Sequence, residues 1–187
     1  MRQIFVFLLS PAPGLAAAQP GYGGRAPAGG PPTISIGQVV DGREDRSNRS
    51  GTIRSHMGIP IRSVDSDQPV PAVVAGTFAQ ALQARGLLAP PGAGRYRLDI
   101  VIRRLDADKL KRSEAHADFG AVLVDQRTGA PVYQDEAVAD TMTGSVMSLD
   151  AGIFANAGDM KQQVARTAAQ AVEGVLSKPG FAAALRR

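Results

Sequence analysis

The chain has 187 residues, a formal net charge of +4 and 5% aromatic residues, with neither cysteine nor tryptophan. That length fits one domain with a real core. The lack of Cys excludes disulfides, thiolate metal sites, a Cys nucleophile and the acceptor of a lipoprotein anchor. The mild charge and scarce aromatics argue against nucleic acid, whose binders concentrate basic residues on one face and interleave aromatics.

Residues 1–18 carry the order of features found in a secretory signal peptide: Arg2, the apolar run Ile4 to Leu9, then Ala16, Ala17 and Ala18. A retained membrane anchor is the competing reading. Pro11, Pro13 and Gly14 interrupt the segment well short of the roughly 20 apolar residues a span requires. We therefore expect cleavage after Ala18, a mature chain without a transmembrane segment, and export to the periplasm, peripheral to a membrane at most. Residues 19–32 are rich in Gly and Pro and read as a flexible linker. A phosphate-binding loop is not favoured there, since no strand precedes the glycines and no Lys-Ser/Thr follows them.

The domain proper is expected over residues 33–187. Ile34, Ile36 and Val40 mark a first strand over residues 33–40. Residues 41–67 are polar and read as one long loop, a feature that is uncommon in compact domains and usually functional or mobile. Its arginine-rich first half is expected to be mobile. Its second half, with Ile53, Met57, Ile59, Pro60 and Ile61, is expected to fold back on the domain. A helix follows over residues 68–85, with Pro69 and Pro71 tolerable in its first turn, an apolar face of Val70, Val73, Val74, Phe78, Ala81 and Leu82, and Gly86 as its stop.

Alternation predicts three further strands, over residues 95–105, 112–125 and 131–143. Tyr96, Leu98, Ile100 and Ile102 define the buried face of the first, and Ala115, Ala117, Phe119, Ala121 and Leu123 that of the second. Asp125 to Gly129 reads as the hairpin turn between the last two. After a loop over residues 145–158, capped by Asn156 or Asp159, a final helix spans 160–176 and Phe181 to Leu185 adds a short turn. The order β-α-β-β-β-α predicts an α/β two-layer sandwich. Its sheet would be mixed and four-stranded, with the first two strands parallel, the rest antiparallel and both helices on one face.

With those elements in place the chain resembles the YajG-like family of bacterial envelope lipoproteins. The resemblance runs from Ile34 to about Leu185 and rests on ordered segments. They are Ile36 to Arg43, Gly51 to Arg54, Ala81 to Leu87, Tyr96 to Ile102 and the terminal helix. It implies a place, the cell envelope, and a shape rather than a reaction. The lipid-acceptor Cys usual in such proteins is missing, so membrane anchoring does not carry over.

Candidate chemistry is sparse. His56 and His116 are the only histidines and lack the spacing of a metal site, so they read as exposed structural residues. No Gly-x-Ser-x-Gly elbow accompanies the Ser, His and Asp residues. Glu114 with Asp118, or Asp135, Glu136 and Asp140, read as a solvated strand face rather than as the carboxylate pair of a glycosidase. Asn48-Arg49-Ser50 matches a glycosylation acceptor, treated as chance in a bacterial-type protein. Arg103, Arg104, Lys109, Lys111 and Arg112 cluster around one hairpin, either as a solvated turn or as a face for anionic headgroups or polymers. Asp41 and Arg43 close the first strand. They read as a local ion pair or, with Arg46, Arg49 and Arg54, as a partner-binding loop.

These features predict a non-enzymatic exported interaction protein, without cofactor or metal, that contacts another envelope protein or envelope component. The alternative is an accessory module binding lipid or another amphiphile for a transport system. A preformed apolar pocket between sheet and helices would favour the alternative. A filled core with an exposed strand edge would favour the first reading.

Overall fold

The computed structural model describes residues 33–55, 57–110, 112–143 and 157–186. The expected leader, linker and most of the loop before the last helix lie outside the described residues, as do His56 and Lys111. In chain order the elements are β1 (Ile34–Asp41), β2 (Arg49–Arg54), β3 (Pro60–Asp65), α1 (Val70–Ala84), β4 (Tyr96–Lys109), β5 (Ser113–Asp125), β6 (Pro131–Thr143), α2 (Ala157–Leu176) and α3 (Pro179–Ala184).

The α/β class and the parallel β1–β4 pairing agree with the pattern, as does the antiparallel β4–β5–β6 meander. The strand count does not: the sheet has six strands, not four. The two additional ones, β2 and β3, form a hairpin within the segment read as a loop. The order is β3-β2-β4-β5-β6, with β1 also paired to β4. The outer side of β4 is therefore shared. β1 runs parallel to it from Tyr96 to Ile102, and β2 takes over at Asp108 and Lys109.

The alternation that defines β4 changes phase inside the strand. Leu98, Ile100 and Ile102 are buried, and then so are Leu105 and Ala107. An irregularity in the β4–β5 register between Ile102 and Arg104 produces the switch. An extra residue in one strand turns the following side chains over, so the core face is kept across the bulge.

Helix α1 presents Val70, Val74, Phe78 and Leu82, four residues apart, to the sheet. Phe78 meets Phe119 of β5 with ring centroids 6.0 Å apart. The helix ends at Gly86, whose φ of +67° suits glycine, and Leu87 N–H closes back on Leu82 O at 2.9 Å. Helix α2 lies over the meander, and its Ala168 and Ala171 share one buried core with Ala115, Ala117 and Ala121 of β5. Gln163 of α2 fastens the far end, accepting from Ser113 Oγ at 2.5 Å and donating to the Ser113 and Thr141 carbonyls at 3.0 and 3.2 Å. The short α3 packs Phe181 edge-on against Tyr133, and Tyr96 Oη donates to Ala184 O.

Candidate interaction surface

The segment 41–67 was the expected recognition loop, and the structure divides its arginines among different tasks. Arg43 is not on the surface: it is 8% exposed. Its guanidinium grips Asp41 through two bonds, Nε to Oδ1 at 2.9 Å and Nη2 to Oδ2 at 2.8 Å. The remaining N–H groups donate to Ser47 O at 2.9 Å, Arg49 O at 3.2 Å and Leu105 O at 3.4 Å. These carbonyls belong to the end of the turn after β1, the start of β2 and the stretch of β4 between its two parallel partners. Where β1 leaves β4 and β2 has not yet joined it, the arginine fork supplies donors that a neighbouring strand would otherwise provide. Its bond to Asp41 holds that carboxyl below the usual carboxylate range. Partner recognition by the Arg43 side chain is therefore replaced by a role in the sheet.

Arg49 is exposed and sits 3.3 Å from Asp45. Arg46 is exposed as well. Arg54 turns the other way along β2, pairing with Asp108 of β4 at 2.6 Å and donating to Gly58 O at 3.3 Å. The five residues Asp41, Arg43, Arg46, Arg49 and Arg54 thus do not converge on one patch. Asp41 and Arg43 close a joint in the sheet, Arg46 and Arg49 flank it, and Arg54 braces the β2–β3 turn.

That turn carries the feature the sequence reading placed in the interior. Of the apolar group in the second half of the segment, Ile53 is buried at 3% exposure. Met57, Ile59 and Ile61 are 74%, 60% and 62% exposed, so they do not fold back on the domain. The turn is defined by its own bonds: Gly58 N–H donates to Ser55 O, Ser55 N–H donates to Ile59 O, both at 2.9 Å, and Gly58 takes a φ of +82°. Among the described residues, strand β3 is also an edge, with β2 as its one sheet neighbour.

The face of the sheet away from the helices is a lattice of charge pairs. Arg97 binds Asp99, Arg104 binds Asp106, Arg103 reaches Glu136 and lies 3.7 Å from Asp118, and His116 Nδ1 sits 2.5 Å from Asp140. Asp135 contacts Lys178 at 2.7 Å, which lowers its pKa, and accepts from Tyr133, whose hydroxyl is pushed up to about 12 by burial and then by that carboxylate. Asp118, Asp135 and Glu136 are thus each engaged by an arginine or a lysine, in keeping with a structural rather than an acid–base role. Among the described residues no group of three or more His, Asp or Glu is placed to hold a metal ion.

One concavity lies beside the core. An open, mostly apolar groove of about 550 Å³ runs beside α1, between Ala75 and Ala79, Ile36 of β1, and Leu88, Pro90 and Pro91.

Fold and surface together define a two-layer α/β domain with one sheet face covered by helices and an exposed apolar hairpin. No family model matches the chain, and no curated protein matches it. Solved structures do. A DUF330 protein from Xanthomonas campestris superposes with a TM-score of 0.50 at 16% identity, over 82% of this chain and 83% of that one. An uncharacterised protein gives 0.52 at 11% identity, over 78% and 90%. PelC from Paraburkholderia phytofirmans, solved as a dodecamer, gives 0.48 at 13% identity, over 81% and 92%. At such identities the first two establish a shared fold.

Proposed function

We propose that this chain is a non-catalytic, exported envelope protein that acts as an interaction module, docking through the β2–β3 hairpin and the edge it presents. The observation that carries the reading is the exposure of Met57, Ile59 and Ile61 on a hydrogen-bonded turn of an edge strand. Exposed apolar side chains gathered at one place mark contact surfaces, and an unpaired strand edge is a template for a partner. Export is supported by the charge, apolar run and small-residue order of residues 1–18 and by the likeness to the YajG-like envelope proteins drawn from the segments above. No helix among the described residues is long and apolar enough to cross a membrane. The second reading, an accessory module for lipid or another amphiphile, has the α1 groove as its observation. It ranks lower because that groove is open.

A photo-crosslinking amino acid at Ile61, compared with one at exposed Gln170 on α2, tests the proposal in the cells that produce the protein. Adducts to a defined envelope component at Ile61, and none at Gln170, are the expected result. Equal labelling at both positions, or none at Ile61, overturns it.

A further inference from the structure

The exposed hairpin does not stand alone. Register fixes what lies beside it. Thr52 pairs with Asp108, Asp108 with Glu114, and Glu114 with Met142. The β2–β3 turn, the β4–β5 turn and the end of β6 therefore share one end of the sheet, a front about 20 Å wide at the usual strand spacing. Exposed along it are Met57, Ile59 and Ile61 from the first turn, Leu110 from the second and Met142 from β6, the last two at 37% and 57%. Among the described residues, 54–62 and 108–114 also hold Arg54, Arg62, Lys109 and Arg112 against Asp108 and Glu114, two more cations than carboxylates. Arg54 is taken by Asp108, whereas the Arg112 guanidinium contacts Met142 Sδ at 3.0 Å. Arg62 and Lys109 form no ion pair with any described residue, in contrast to the neutralised lattice on the open sheet face.

Resting on the interaction reading above, we infer that this end of the sheet docks on an anionic lipid bilayer, with the Met57–Ile61 turn entering the interface and Arg62, Lys109 and Arg112 meeting headgroup phosphates. Apolar side chains at a protruding turn, with cations behind them, match the depth profile of an interface: acyl chains first, negative charge above them. A protein partner reading the edge of β3 would use its backbone groups and would have no need of Leu110 or Met142, several strands away.

The chain has no tryptophan, so one introduced residue reports its own position. In the full chain, Ile59→Trp is mixed with phosphatidylcholine vesicles, with or without phosphatidylglycerol. Val138→Trp, equally exposed but on the open face, is the control. The expected result is a blue shift and quenching by brominated acyl chains for Ile59→Trp on the anionic vesicles, with neither for Val138→Trp. Adding Arg62→Ser, Lys109→Ser and Arg112→Ser should raise the lipid needed for half the shift at least about tenfold, given the usual contribution of each cation near such a surface. Unchanged circular dichroism and melting would show that these exposed changes leave the fold intact. An indole at position 59 that stays in water, a shift equal on neutral vesicles, or equal quenching at position 138 overturns the inference. If the indole stays in water while Ile61 still crosslinks to an envelope protein, the membrane assignment falls and the interaction reading stands.

Discussion

Replacing Arg43 by Met keeps a long apolar stem and removes the fork. Four partners lose the side-chain donors of the fork: the Asp41 carboxylate, 12% exposed and left with the residue-43 backbone N–H at 3.2 Å, and the carbonyls of Ser47, Arg49 and Leu105. Breaking a buried ion pair from one side costs about 3–5 kcal/mol, because the surviving charge and the stranded acceptors stay desolvated. In a domain of this size each kcal/mol corresponds to about 2–4 °C, so the melting temperature should fall by roughly 10–15 °C. Urea titration and thermal melting followed by circular dichroism measure both quantities. Arg43→Lys should recover only part of the loss, since an ammonium cannot reproduce the two-point grip on Asp41. Arg46→Ser, at an exposed position, should stay within about 0.5 kcal/mol of the parent. The pH dependence has a definite sign. The folded pKa of Asp41 lies below its ordinary 3.8, so the pair's contribution is complete above that value and lost as pH falls through the folded one. The gap between parent and Arg43→Met should therefore narrow on acidification below that ordinary value. An Arg43→Met protein that melts within about 2 °C of the parent at neutral pH would refute the reasoning and return Arg43 to the surface.

Three further changes test the packing. Gly94→Ala combines a φ of +90° with a Cβ only 2.7 Å from Thr33 O, a backbone atom that cannot swing away, and should cost about 2–4 kcal/mol by denaturant titration. Gly129→Ala, with a φ of +70° but open space around it, should cost only about 1 kcal/mol, and equal losses at the two sites would show that the contact with Thr33 does not matter. Phe119→Ala empties the ring position facing Phe78 at the centre of the core and should cost about 3–5 kcal/mol, checked in the same way.

The sequence revealed elements whose side chains alternate against a deep core. β5 and α1 were legible because their buried positions are apolar at the period of their geometry. β2 and β3 were not. Of β2 only Ser50, Gly51 and Ile53 are buried, and of β3 only Val64, so a peripheral hairpin with little core to serve spells out loop composition. Pro60 is no obstacle to β3, since proline is acceptable at the first residue of an edge strand. The far half of β4 escaped because the bulge shifts its phase. The Asp41–Arg43 ion pair was legible, but the bonds from Arg43 to three carbonyls were not, since composition cannot show a missing strand neighbour. The one local sign of Arg43's role was an acidic residue two positions earlier. Met57, Ile59 and Ile61 show the converse, that apolar residues need not point inward.

The shared edge of β4 also divides the sheet by the distance the chain must travel to make it. Strands β4, β5 and β6 follow one another through tight turns, so each pairing closes a loop of a few residues. Ile34 meets Tyr96, and Thr52 meets Asp108, only after an intervening stretch of some 60 residues has been brought round. Loop-closure entropy for such a span is about 3–4 kcal/mol, against about 1 kcal/mol for a hairpin turn. The cost is of the same order as the worth assigned to the Arg43 fork, which sits at the joint where those remote strands attach. The meander thus assembles from local contacts, whereas β1, β2 and β3 belong to the sheet by virtue of a few well-placed bonds. This makes the N-terminal strands its slow-forming, high-contact-order portion.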